Sequence, residues 1–179
     1  MFKTFLLKEM PEIYDDTYLA DHELDDDLDT PDTKKDFDHI KTIKYGNMQI
    51  HIYQTIHNNQ VEYEFMESGK TVAEYGGDIR KHYLETENIW QRKDPQYRGL
   101  MRFIFAEYLI PTYKVIVSDS RLSSLGFAFW QKFYQEYSNK FDIGVYDIES
   151  GKEIKIGSAE ELKKYYGQGK GRLRFLMTL

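Results

Sequence analysis

The sequence predicts an α/β (α+β) protein built on a mixed, mostly antiparallel central sheet flanked by helices, and three observations carry that reading. From Thr42 to Glu74, apolar Met48, Ile50 and Ile52 alternate with Gln49, His51 and Tyr53, and then Val61, Tyr63 and Phe65 alternate with Glu62 and Glu64. A period of two puts one face of a strand in a core. From Asp94 to Tyr137 the pattern changes to turn, helix, strand, turn, helix, a crossover order that implies some parallel pairing. Hydrophobic residues are 41% and aromatics 16% of 179 positions, so the chain is read as one folded domain over 1–179.

In chain order, Phe2 to Leu7 is expected as a first strand. Pro11 to Asp38 follows, with Tyr14, Tyr18, Leu24 and Leu28 spaced for one or two short amphipathic helices. Asn58-Asn59 marks a hairpin turn, and Ser68-Gly69-Lys70 marks the next one before a strand over Thr71 to Tyr75. Gly76-Gly77 is expected to end that strand, and another is expected from about Lys81 to Arg92.

Asp94-Pro95 breaks the pattern because proline lacks an N–H and restricts the residue before it. Tyr97 to Ile110 is dense in apolar residues and reads as a helix that Pro111 stops. Lys114-Val115-Ile116-Val117 is a β-branched run suited to a strand buried on both faces. Ser118-Asp119-Ser120 forms a loop, after which Gly126, Phe129, Trp130, Phe133, Tyr134 and Tyr137 recur at helical spacing. Phe141 to Tyr146 and Glu153 to Ile156 read as strands, Ser158 to Tyr166 as a short helix capped by Ser158, and Arg172 to Met177 as a last strand. Gly167-Gln168-Gly169-Lys170-Gly171 precedes a strand instead of opening a helix, so it reads as a turn and not as a phosphate loop.

Composition narrows the function. No cysteine is present, which removes disulfides and thiolate metal sites and fits a reducing compartment. Neither a signal-peptide core nor an apolar run of membrane length is visible, so a cytoplasmic location is expected. The five histidines form no H-x-x-x-H or H-E-x-x-H pair, and no metal site is expected. The net charge of −6 is uneven: 12 of the 30 acidic residues but only 2 of the 24 basic ones fall between Glu12 and Asp38. The remainder carries 22 basic and 18 acidic residues, a mildly positive body suited to an anionic ligand. The acidic 12–38 segment reads as a solvated face, or as a wall for a cationic acceptor or a basic protein partner. Basic and aromatic residues interleave at Lys163-Lys164-Tyr165-Tyr166, but an acidic chain disfavours nucleic acid as a partner.

Pro95-Gln96-Tyr97-Arg98-Gly99 resembles the start of the acetyl-CoA pyrophosphate loop of the GNAT superfamily of N-acetyltransferases, P-x-Y-R-G-x-G-x-G/A leading into a helix. Val115 to Asp119, followed by Ser123-x-x-Gly126-x-x-x-Trp130, resembles a phage and prophage branch of that superfamily. Met101 and Phe103 stand where the family has its later glycines. The resemblance implies a GNAT-like sheet with a splayed central strand pair, acetyl-CoA as the acyl donor, and direct attack by a small-molecule or protein amine in a ternary complex. It also implies a host cytoplasm as location if the gene is a phage's. On this resemblance Lys93, Arg98, Gly99, Leu100, Met101, Arg102, Ser123 and Trp130 are the cofactor-binding candidates. Helix-start amides and nearby guanidinium groups are suited to a diphosphate. Family members commonly keep a base on the strand before the loop. Glu85 and Glu87, two apart and so expected on one strand face, are the catalytic candidates. Trp130 takes the place of the family's acid tyrosine, which leaves Tyr134, one turn later, as candidate acid. Two alternatives accompany this reading: a catalytically impaired GNAT-fold binding protein of phage type, and a polyanionic mimic acting through 12–38 on a host protein that binds nucleic acid.

Overall fold

Two-residue loops make three of the four connections of a five-stranded antiparallel meander and set its register. Its strands, β1 (Asp38–Tyr45), β2 (Met48–His57), β3 (Gln60–Glu67), β4 (Lys70–Ile79) and β5 (Leu84–Gln91), pair in chain order. Asn58 and Asn59 turn the β2–β3 hairpin with φ of 49° and 66°, and Ser68 and Gly69 turn β3–β4 with φ of 51° and 81°. Positive φ at both central positions matches the twist of the flanking strands. The computed structural model describes residues 37–167 and 172–179. The expected first strand, the helices before Asp38, nearly all of the acidic segment and the 168–171 glycine stretch lie outside the described residues. The described chain falls into two compact units, one within Glu23–Glu107 and the other including Tyr108–Leu179.

The alternation places Ile52, Phe65 and Ala73 in one cross-strand row, and Tyr63 and Tyr75 in the next. All five are at most 1% exposed. Burial of such side chains contributes roughly 1.5–3 kcal/mol for each large one. On the other face the row His39, Tyr53, Glu64, Glu74 and Trp90 runs across all five strands.

Three expectations are corrected. β4 does not end at Gly76-Gly77 but runs through both glycines to Ile79. A Cβ on Gly76 would lie 2.7 Å from the Asn88 side-chain oxygen, and one on Gly77 would lie 2.7 Å from the Glu85 carbonyl oxygen. Glycine is there for close approach of β5, not to stop the strand. β5 itself starts at Leu84, after a turn closed by the Arg80 amide on the Tyr83 carbonyl at 2.9 Å. Third, the expected helix starts at Leu100, and Pro111 lies inside it. Leu100–Ile104 (α1) is α-helical, Phe105–Leu109 is π-helical, and Ile110–Tyr113 (α2) is α-helical again. Pro111 offers no N–H to the Glu107 carbonyl and its ring crowds that carbonyl, so the wider turn accommodates it. Phe105 anchors the helix on the sheet, its ring 5.5 Å from that of Tyr75 and edge-on to it.

The second unit is a sheet of order β6-β9-β7-β8, every pair antiparallel. β6 (Val115–Val117) follows Lys114, whose φ of 69° ends the helix. β7 (Asp142–Asp147), β8 (Lys152–Lys155) and β9 (Leu173–Thr178) match the expected strands closely. β9 lies between β6 and β7, and its residues from Leu173 to Met177 are buried on both faces. The helix α3 (Ser124–Tyr137) covers this sheet through Phe127 and Trp130, each 5.7 Å ring to ring from Phe175. Ser158 does cap, accepting the Glu161 amide at 3.2 Å, but only Glu161–Lys164 winds, as a 3-10 turn. At the β7–β8 turn, Asp147 is fully buried and accepts two hydrogen bonds from Arg172, at 2.9 and 2.8 Å. No described helix is long and apolar enough to cross a membrane.

Candidate functional site

The bend after β5 is built from short-range rules. Asp94 accepts the Gln96 amide at 3.2 Å and starts a 3-10 turn over Pro95–Tyr97. Gly99 then takes φ 89°, ψ 1°, the left-handed region that only glycine enters without cost, and α1 begins at the next residue. The Phe103 amide closes the first turn on the Gly99 carbonyl at 3.0 Å. No acidic residue stands in that turn. Lys93 and Arg98 are exposed, and Arg102 is half-buried with its guanidinium 3.0 Å from where a Cβ on Gly99 would lie. Leu100 and Met101 are buried, at 0% and 3% exposure. Met101 is thus accommodated in the interior, and Phe103 is half-buried against Tyr45, rings 5.1 Å apart.

Two residues that the sequence did not point to hold this bend. The Tyr45 hydroxyl of β1 donates to the Arg98 carbonyl at 2.7 Å. The Gln91 side-chain oxygen, at the end of β5, accepts the Met101 amide at 2.9 Å. Below the bend, the Tyr97 hydroxyl reaches Glu67 at 3.4 Å. Burial first, and then the Glu67 carboxylate, push the Tyr97 phenol above its ordinary range. The Arg92 guanidinium donates to the Thr71 carbonyl at 2.7 Å, which ties the start of the loop to β4.

β5 departs from simple alternation at Glu87. Gly76 pairs with Asn88 while Gly77 pairs with Thr86, so Glu87 is an extra residue, a β-bulge, on β5. The two glycines make room for it. Glu85 is half-buried and its carboxylate accepts the Arg80 guanidinium at 3.0 Å, which Asp78 also holds. Glu87 is exposed at the bulge. Bulges re-aim side chains and recur beside active sites. Across the outward face of the meander, Glu64 and Glu74 are directly paired. Burial, then Glu64 and Glu62, raise the Glu74 carboxyl above its ordinary range.

The remaining candidates belong to the other unit. The Ser123 hydroxyl accepts the Gly126 amide at 3.0 Å and is the N-cap of α3. Trp130 is 1% exposed, against Phe175, so the side chain is a core element with almost no surface of its own for a cofactor. The Tyr134 hydroxyl donates to the Ile156 carbonyl at 3.1 Å, so its proton is engaged by backbone. Asp119 accepts the Ser120 hydroxyl at 3.1 Å and borders a cavity of about 10 Å³ shared with Ser118, Tyr166 and Arg174, room for a single water. Among the described residues no three His, Asp or Glu side chains gather as a metal site.

No family model matches the sequence, and no curated protein matches it either. Among solved structures, the ribosomal-protein-S18-alanine N-acetyltransferase from Escherichia coli is similar over 69% of this chain and 70% of its own length, at 18% identity and a TM-score of 0.37. Values this low transfer no residue role.

Proposed function

We propose that this chain is a GNAT-type N-acetyltransferase that moves the acetyl group of acetyl-CoA to an amine within a ternary complex. One local geometry supports the reading: β5 gives way to a bend in which Gly99 is left-handed, a helix without first-turn carboxylates follows, and Lys93, Arg98 and Arg102 stand around it. Glycine at this point lets an anion approach the backbone, and the guanidinium groups add charge-assisted contacts. In the reaction the amine lone pair attacks the thioester carbonyl carbon, the C–N bond forms and the C–S bond breaks. The nitrogen gives up one proton to a base, and the departing thiolate takes one from an acid.

Of the two carboxylates, Glu87 is the base we prefer. It is exposed on the bulge, where an acceptor can reach it, whereas Glu85 is half-buried. Tyr134 can act as acid only by releasing the Ile156 carbonyl. Calorimetry with acetyl-CoA and a thiol-release assay over a panel of amines test the proposal, with saturable binding and amine-dependent release expected. Silence at millimolar acetyl-CoA overturns it. Glu87→Gln is expected to lower kcat about 100-fold or more and Glu85→Gln only slightly; unchanged turnover in both rejects the base assignment.

A second reading, a GNAT-fold binding protein of phage type without catalysis, is favoured by the Met101 amide already bonded to Gln91, the burial of Trp130 and the engaged Tyr134 hydroxyl. Its partner, basic in chemistry, would meet the 12–38 segment. Removing that segment tests the idea, and a deletion variant that still captures the partner in full ends it.

A further inference from the structure

We infer that Gln91 sets the affinity of the bend for its anionic ligand, because its side chain already occupies a backbone donor that a diphosphate would use. This rests on the acetyl-CoA reading above. The Gln91 carboxamide oxygen accepts the Met101 N–H at 2.9 Å. Met101 is the second residue of α1, so its amide is one of the helix-start donors that a pyrophosphate at this bend would use; the Arg98 amide, already bonded to the Pro95 carbonyl at 3.2 Å, is not. Gln91 is placed there by the sheet: it is the last residue of β5, in register with Ala73 on the face that also carries Ile89 opposite Tyr75. The bulge at Glu87 decides which face this is, since without the extra residue Gln91 would stand on the other side while Leu84 and Thr86 kept theirs.

A neutral oxygen at an amide is a weaker partner than a phosphate oxygen, so the ligand displaces it at a cost. Tyr45 holds the neighbouring Arg98 carbonyl and is untouched by the exchange. The bend is therefore kept in shape from one side by Tyr45, while Gln91 closes it from the other.

Calorimetry with acetyl-CoA on the full chain tests the assignment. Wild type is compared with Gln91→Ala, with Gln91→Met, which keeps the stem and removes the strong acceptor, and with Gln91→Glu. The first two are expected to bind about 3- to 10-fold more tightly, the equivalent of one net neutral hydrogen bond released. Gln91→Glu, which puts a carboxylate at the same amide, is expected to bind at least as many fold more weakly. Thermal midpoints identify any variant that does not fold, and either of the first two suffices. If wild type binds while Gln91→Ala and Gln91→Met bind equally or less well, Gln91 is only a helix cap: the inference falls and the acetyl-CoA reading stands. If no variant and no wild type binds, the acetyl-CoA reading falls and takes the inference with it.

Discussion

Replacing Arg172 by methionine removes the partner of the most buried carboxylate among the described residues while leaving a stem of similar length. Asp147 is 0% exposed and Arg172 30%, and the guanidinium meets both carboxylate oxygens at 2.9 and 2.8 Å. The Glu149 amide, at 3.1 Å, and the Ser150 amide, at 3.4 Å, would remain as donors. Breaking a fully buried ion pair by removing one partner costs about 3–5 kcal/mol; with the partly exposed arginine and two surviving amides, a loss of about 2–3 kcal/mol at pH 7 is expected. Arg172 is the largest cause holding the Asp147 carboxyl below its ordinary range. A depressed carboxyl contributes stability that is complete above its unfolded value and is lost as pH falls through the folded one. The difference between wild type and Arg172→Met is therefore expected to narrow as pH drops below about 4. Urea denaturation at pH 7 and pH 3 measures both. A cost below about 0.5 kcal/mol at pH 7, or a difference that does not shrink at pH 3, refutes the assignment of the pair as a structural clamp.

Two further outcomes are expected. Gly77→Ala should lower the thermal midpoint by the equivalent of about 1–3 kcal/mol, because its Cβ would meet the Glu85 carbonyl at 2.7 Å and the Tyr75 hydroxyl at 2.8 Å; an unchanged midpoint means the strands separate more easily than their packing implies. Glu74→Gln should stabilise by about 0.5–1 kcal/mol at pH 7 and by little near pH 4. The Glu74 carboxyl is raised, first by burial and then by Glu64 and Glu62, so its favourable protonated contribution is lost as pH rises through the raised value. A variant no more stable than wild type at pH 7 counts against it.

Much of the fold is legible in local pattern. The alternation around Ile52, Phe65 and Val61 marks the core face of the meander, and Asn58-Asn59 marks its hairpin. The spacing of Trp130 and Phe133 marks α3. What escapes the sequence depends on distance or on one added residue. Tyr45 and Arg98 are 53 positions apart, and nothing near either signals the other. Gly76-Gly77 carries the usual sign of a strand end, but its role is to admit the bulged strand. Pro111 likewise carries the usual sign of a helix end, which the π turn before it sets aside. For the candidate site, Gly99 is foreseeable as a left-handed residue from its motif. The share of Gln91 in the bend is not, because a glutamine ending a strand has no distinctive local signature.

The extra residue in β5 makes the folding of that strand tolerant of substitution at position 87 and intolerant of shortening. Position 87 is exposed, so many side chains fit there. Deleting it would put the two ends of the strand out of step, so that Leu84, now 0% exposed, and Thr86, now 6%, could no longer share a face with Ile89 and Gln91. For folding, length at this point is under tighter constraint than the identity of the side chain, so single-residue indels are the changes that the strand should tolerate least.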